Sequence, residues 1–370
     1  MTYAPVNSFD EWTPLKEVIV GRADNYTAHY VDASFQLFYF DNVQPDVDAT
    51  AGQPLLPIPQ QLVDELTEDV AGLTDALSSG GITVHRPSAL GKDVDIQSPS
   101  WDARATPALN VRDNTIIFGK TIVETAPHVR ARIFENDQLK PLFYRYFEAG
   151  SRWLTMPRPA LARGSLDTAY FDRQGIDVSH VTDADTALSI DGLGLELIFD
   201  GAQCMRLGRD VLVNAANRNH AMALRWLRET LPDLRFHLLD GIADSHIDSI
   251  VVPLRPGLML LREPKYLDYL PKPMRSWDVI YPPPMDESAF PDYSAFGFNI
   301  ASRHIDMNVL SIDENTVVVN SLYPQLIRVL DDRGFTVVPV RHRHRRLAGG
   351  GFHCFTLDTE RAGGCEDYLS

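Results

Sequence analysis

The stretch NTIIFGKTIVET, residues 114–125, holds two apolar, β-rich runs on either side of Gly119-Lys120. That is the composition of a tight hairpin. The same design recurs at Gln203–Ala216 around Gly208-Arg209-Asp210, at Ser249–Arg262 around Pro256-Gly257, and at Asn308–Asn320 around Asp313-Glu314-Asn315. A fifth piece, Gly349-Gly350-Gly351-Phe352-His353-Cys354, lies near the chain's end. A residue with useful chemistry precedes or opens each piece: Asp113, Asp200, His246 with Asp248, Ser302, and Cys354. A repeated module with one reactive group at the same place in each copy brings those groups to one axis. A cysteine, a histidine and three aspartates on one axis suit attack on a planar cation.

Helical patterns separate the hairpins. Residues Pro57–Ser79 carry Leu62, Leu66, Val70, Leu73 and Leu77 at spacings of three to four, with Gly80-Gly81 as a stop. His128–Ala149, Asn219–Leu231 and Leu322–Asp332 give three more helices. Lys16–Gly21, Ile82–His85, Phe335–Val340 and Phe352–Thr359 supply further strands. Hairpin connections make each local sheet mixed, which excludes a doubly wound parallel sheet. Five such modules in a ring form an α/β propeller with helices outside. Asp41–Pro59, Asp95–Thr106 and Pro282–Ala301, rich in Pro, Asp, Ser or Gly, read as long loops of the kind that cover sites.

The chain has 370 residues, 44% hydrophobic and 23% charged, which is ordinary globular composition. A net charge of -16 argues against nucleic acid and anionic membranes as partners. The basic run Arg341-His342-Arg343-His344-Arg345-Arg346 reads as a solvated face. Three cysteines, Cys204, Cys354 and Cys365, suggest a reducing compartment rather than a disulfide framework. The opening residues lack a basic-then-apolar leader, and no apolar run is long enough to span a bilayer. The expected location is the cytoplasm.

A lone cysteine is ordinarily a small buried hydrophobe, and Cys204 and Cys365 keep that reading. The three glycines before Cys354 allow a tight turn and close approach to a ligand, so this thiol reads as a nucleophile. In Ser245-His246-Ile247-Asp248, residues two apart on a strand share a face. His246 then reads as a general acid/base beside a substrate-binding carboxylate. The rival readings are a capping pair and a metal site, the latter lacking further ligands nearby. Asp200 reads either as a turn residue or as the carboxylate that orients His246. Asp113 has the same turn alternative. Together with Asp248 it could grip the two edges of a guanidinium.

These segments resemble one family. APVNSFDEWTPLKEVIVG (4–21), Val111-Arg112-Asp113, Phe199-Asp200-Gly201-Ala202, Ser245–Asp248, Met307-Asn308-Val309-Leu310 and Gly349–Cys354 are similar, in order, to segments of L-arginine-dependent amidinotransferases. The resemblance implies the pentein fold, a five-module α/β propeller with a central active site, as one domain over residues 1–370. It implies Cys354, His246 and Asp200 as a catalytic triad and Asp113 and Asp248 as guanidinium ligands. Lys265 stands where the family has an arginine for the donor's carboxylate; it keeps the charge and loses the fork. Gln203 replaces a frequent second acid, and Ala301-Ser302 a frequent pair of serines. Ser302, Ser245 and Arg112 complete the expected substrate-binding set. The resemblance implies no metal or organic cofactor, and a homodimer.

The expected reaction moves an amidino group from L-arginine to a primary amine through a covalent amidino-cysteine, releasing ornithine. The small residues Ala243, Asp244 and Ser245 before His246 point to an acceptor larger than glycine, such as lysine or an aminocyclitol phosphate. A guanidine hydrolase of the arginine deiminase type, with water as acceptor, is the second reading. A non-catalytic binding module is the third, and an intact triad argues against it.

Overall fold

The computed structural model describes residues 4–27, 32, 34–35, 58–167, 169–170, 173, 194–243, 245–286, 290–291, 293 and 301–370. Most of the expected loop at Asp41–Pro59, much of Pro282–Ala301, and Asp244 lie outside these residues.

Among the described residues, five three-stranded sheets repeat one plan. An antiparallel hairpin is followed by a third strand that runs parallel to the hairpin's second strand. The hairpin β5 (Thr115–Phe118) and β6 (Thr121–Glu124) is joined by β7 (Arg152–Thr155). β8 (Cys204–Leu207), β9 (Asp210–Val213) and β10 (Arg235–Leu238) form the next sheet. β11 (Val251–Arg255), β12 (Leu258–Leu261) and β13 (Asp278–Ile280) follow, then β14 (Leu310–Asp313), β15 (Thr316–Asn320) and β16 (Thr336–Val340). The remaining sheet joins the two ends of the chain. β1 (Leu15–Val20) pairs antiparallel with β17 (Thr356–Arg361) and parallel with β2 (Thr83–His85).

A parallel neighbour needs a crossover, usually a helix. α1 (Gln60–Ser79), α2 (Lys140–Glu148), α3 (Arg218–Thr230) and α4 (Pro324–Asp332) supply four of the five. Two 3-10 turns, Pro264–Tyr269 and Lys272–Ser276, supply the fifth.

Apolar packing shows that the sheets close into a ring. Ile19 and Leu357 of the β17-β1-β2 sheet pack with Ile117 and Ile122 of the next. Ile116 and Val123 pack with Val211 and Val213, Met205 and Leu212 with Val251 and Met259, and Val252 and Leu260 with Val317 and Val319. Leu310 and Val318 then return to Val18 and Val20, with Leu66, Val70 and Leu73 of α1 filling the wedge. Each such Val or Leu contributes about 1.5–3 kcal/mol by leaving water. Ring closure therefore rests on the chain's two ends meeting.

Three sequence expectations need correction here. The helix expected over His128–Ala149 begins at Lys140, after 3-10 turns at Arg130–Arg132 and Glu135–Gln138. Arg132 turns inward to bond both Glu135 and Asp113, and Pro141 is suited to start a helix. The loop expected at Asp95–Thr106 contains a short antiparallel pair, β3 (Asp95–Gln97) with β4 (Asp102–Arg104). The basic run at 341–346 is not a solvated face. Arg343 bonds Asp69 and Glu68 of α1, His344 bonds Glu65, and Arg345 is buried against Asp306. Among the described residues no helix is long and apolar enough to cross a membrane.

Candidate active site

All five modules place a polar residue just before the first strand of their antiparallel pair. Asp113 precedes β5, Asp200 caps the 3-10 turn that leads into β8, and His246 and Asp248 precede β11. Asn308 precedes β14, and Cys354 precedes β17. The ring brings these starts together at its centre.

Cys354 is held from two sides. Its Sγ donates to Asp248 Oδ2 at 3.2 Å, and Asn308 Nδ2 donates to the sulfur at 3.2 Å. Asn308 Oδ1 accepts from the backbone N–H groups of Cys354 (2.9 Å) and Gly351 (3.2 Å). This wrap requires glycine. A Cβ at Gly351 would sit 2.7 Å from Asn308 Cβ and backbone oxygen, and one at Gly350 would sit 2.1 Å from Asn110 Oδ1. His353 Nδ1 lies 2.9 Å from Asp248 Oδ2 and fixes that carboxylate.

His246 Nε2 lies 3.0 Å from Asp200 Oδ2, and its Nδ1 lies 3.9 Å from Asp113 Oδ1. Candidate ligand atoms of Asp113, His246 and Cys354 all lie within 4.8 Å of one another. By donor type the three could hold a metal ion, or meet the edge of an organic cation. Arg132 bonds Asp113 Oδ2 at 2.6 Å. Asp113 Oδ1 is buried with no hydrogen-bond donor among the described residues. An unsatisfied buried carboxylate oxygen is costly, and a cationic donor beside the thiol would satisfy it.

Electrostatics sort the groups by role. Burial pulls the His246 imidazolium down, but Asp113, Asp200 and Asp248 outweigh it and push its pKa up to about 9. Burial raises Asp200, yet His128 and His246 hold it far below the usual carboxylate range. Asp248, against the same burial penalty, falls to about 2 through His353 and His246. Burial, followed by Asp248 and Asp113, pushes the Cys354 thiol well up. The resting site thus holds a thiol, an imidazolium and the Asp200 and Asp248 carboxylates, while burial pushes Asp113 up.

The other expected site residues lie apart from this centre. Arg112 is buried, but its guanidinium serves Glu11, Asp358 and the carbonyls of His353 and Thr356. A guanidinium so committed corrects its reading as a substrate contact. Lys265, with its side chain 61% exposed, pairs with Glu263 at 3.1 Å. Ser302 Oγ accepts from the His304 N–H; the group its module brings to the thiol is Asn308. Ser245 is buried, and its carbonyl accepts from Asn214. Gln203 Oε1 accepts from the Asp200 N–H at 2.9 Å, so it braces the carboxylate's backbone.

A cavity of about 310 Å³ is lined by Arg262, Arg303, His304 and Met307, among others. Arg262 donates to Ser249, next to Asp248, and Met307 adjoins Asn308. Burial, then Arg262 and Arg303, push His304 down to about 4, and Asp306 also lines the cavity.

No protein-family model matches the chain. Inosamine-phosphate amidinotransferase 1 of Streptomyces glaucescens is 32% identical over 367 residues, covering 98% of this chain and 99% of that protein. The L-arginine:L-lysine amidinotransferase of Pseudomonas savastanoi pv. phaseolicola is 30% identical over 378 residues, covering 99% and 97%. The solved structure of an inosamine-phosphate amidinotransferase from Streptomyces griseus superposes with a TM-score of 0.81 at 30% identity, covering 100% of both chains.

Proposed function

The chain belongs to the amidinotransferase family, and we propose that it moves the amidino group of L-arginine to a primary amine through a covalent adduct on Cys354. The observation that carries this reading is the Cys354 thiol, between Asp248 and Asn308 and beside an unsatisfied Asp113 Oδ1.

The guanidinium enters between Asp113 and Asp248, which hold it flat against the sulfur. Its positive charge offsets the carboxylates that keep the thiol protonated. The thiolate becomes accessible, and its proton leaves to solvent. Sulfur attacks the central carbon, forming a C–S bond. The bond from that carbon to the side-chain nitrogen breaks, and His246 gives that nitrogen its proton, so ornithine departs. An amine then takes ornithine's place and attacks the same carbon, losing a proton to neutral His246. The C–N bond forms as the C–S bond breaks, returning thiolate and imidazolium. Asp200 orients and charges His246 in both halves.

The donor's carboxylate falls to the cations around His304, namely Arg262, Arg303 and Lys265. All three cysteines are free, which suits a reducing, cytoplasmic setting in which Cys354 stays a thiol. A hydrolase would use the same centre with water as acceptor. The relatives' names favour transfer, and they support lysine or an aminocyclitol phosphate as the first acceptors to try.

The test is a panel of amines incubated with arginine, followed by mass spectrometry. Ornithine with a new guanidine, and an amidino mass on the Cys354 peptide, are expected. Citrulline released without added amine would favour the hydrolase. An adduct on any other residue would overturn the assignment of Cys354.

A further inference from the structure

Asp200 does not meet His246 alone. Its other oxygen, Oδ1, lies 3.0 Å from His128 Nδ1 and accepts from the His128 backbone N–H at 3.3 Å. His128 Nε2 in turn lies 2.6 Å from His220 Nε2, on the first turn of α3. Both rings are fully buried, and edge-to-face packing, with centroids 4.8 Å apart, sets their angle. No step of the reaction uses either ring.

The proton positions follow from the chain's far end. The Ala216 N–H donates to His220 Nδ1 at 3.2 Å, so that nitrogen accepts. A neutral His220 then carries its proton on Nε2. One proton fits between the two Nε2 atoms, so His128 Nε2 accepts and the His128 proton lies on Nδ1. That nitrogen lies 3.0 Å from Asp200 Oδ1, at ion-pair distance but off the line of a hydrogen bond. The order is Ala216 N–H to His220, His220 to His128, and the His128 ring against Asp200, whose other oxygen meets His246.

The charged groups around this chain agree. Asp200 and His246 face it from the site, with Asp113 and Arg132 beyond them. On the α3 side, Asn217 Oδ1 accepts from the His220 N–H, and its Nδ2, itself a donor, lies 3.1 Å from Nε2 and competes with His128 for that position. Asp167 accepts from the Arg218 N–H and lies 3.6 Å from Arg173. Burial, with His128 and His246 nearby, holds His220 well below the usual histidine range, as a neutral donor requires.

We propose that His128 and His220 are positioning residues for amidino transfer: together they lock the Asp200 carboxylate so that Oδ2 meets His246. This rests on the transfer reading above. Without the His128 ring the carboxylate keeps its backbone donors but loses its side-chain neighbour at Oδ1, and its charge concentrates on His246. Proton delivery to the leaving nitrogen slows, and His246 holds its proton to higher pH.

The test is single-turnover release of ornithine from arginine, which needs no acceptor, measured from pH 6 to pH 10 with melting temperature alongside. His128→Leu should slow release by about tenfold or more, a part of the 10²–10⁴ that a positioned acid supplies. It should also move the alkaline limb upward. His128→Asn keeps an amide N–H near the Nδ1 position and should restore most of the rate and the wild-type limb. His220→Leu leaves His128 free to change tautomer and should give a smaller loss of the same kind, with His220→Gln closer to wild type. It also serves if His128→Leu does not fold. Unchanged rates, or losses that track melting temperature with the limb unmoved, overturn the inference. Wild-type protein that yields neither ornithine nor adduct would sink the transfer reading, and this inference with it.

Discussion

Two buried charged regions meet at His353. In the first, Glu11 and Asp358 meet Arg206, Arg112 and Arg361. Arg206 binds both carboxylates at 2.7 Å, and Arg361 binds Asp358 at 2.6 Å. Each acid there sits far below its usual range, because the arginines outweigh burial. In the second, Asp113, Asp248 and Cys354 share a space with one imidazolium, and Asp113 Oδ1 has no donor. His353 touches both regions, with Nδ1 toward Asp248 and Nε2 3.2 Å from Glu11. The first region is closed by its own cations and holds modules together. The second is left short of one cation, and that deficit is what a guanidinium would meet. Burial alone therefore does not distinguish a structural cluster from a reactive one; the balance of charge and donors does.

The sharpest break in the comparison is Cys354→Ser. Loss of a covalent nucleophile costs roughly a millionfold in turnover, while the closed network is untouched, so melting temperature should stay near wild type. Ornithine release and the amidino adduct should both vanish. His246→Ala comes next, with a loss of roughly 10²–10⁴, and Asp200→Asn should cost less because it orients rather than transfers. If both variants lose melting temperature and activity in proportion, these residues belong with the structural region instead.

Asp358→Ala probes the other side. Removing one partner of a buried ion network costs about 3–5 kcal/mol. Thermal or urea unfolding should show that loss, while adduct formation per folded molecule stays close to wild type. A fully stable Asp358→Ala that cannot form the adduct would merge the two regions into one.

The sign of the pH dependence also separates them. His246 binds its proton more tightly folded than unfolded, so its contribution to stability is complete below its ordinary pKa and is lost as pH rises through about 9. kcat/KM for arginine, which reports the free enzyme, should hold to about pH 9 and fall above it. Glu11 and Asp358, held well below their usual range, contribute stability that disappears only on acidification. An alkaline limb that persists in His246→Gln would assign it to another group.

Much of this was legible in the sequence, for reasons that also explain the misses. The hairpins carry their own turn signals, so four modules, and the candidate residues of three of them, could be numbered in advance. The fifth sheet could be assembled only by joining β1 to β17, a pairing across almost the whole chain. Arg112 was misread because it and Asp113 sit in one turn, closed by the Asp113 N–H on the Asn110 carbonyl, which sends Asp113 to the site and Arg112 to the closed network. Ser302 stood in for Asn308, six residues on, because a serine looks more reactive than an amide. His128 and His220 lie 92 residues apart and carry no local signal. Only the ring brings them to Asp200.

The smallest effect concerns the donor's far end. Lys265, the sequence-based anchor for the carboxylate, is mostly exposed and paired with Glu263, and an exposed pair is worth little. Arg303 lines the cavity beside Met307 and Ser249's partner Arg262. A charged hydrogen bond there is worth about 1.5–3 kcal/mol. Arg303→Ala should therefore raise KM for arginine by about tenfold or more, with kcat little changed and a smaller effect from Lys265→Ala. Agmatine, which is arginine without its carboxylate, should hardly respond to either change, because the lost contact was never made. Steady-state kinetics with both donors on both variants decides the matter. If Lys265→Ala is the more damaging, the lysine leaves Glu263 to take the carboxylate. If both donors suffer equally, the cavity shapes the reactive centre rather than reading the tail.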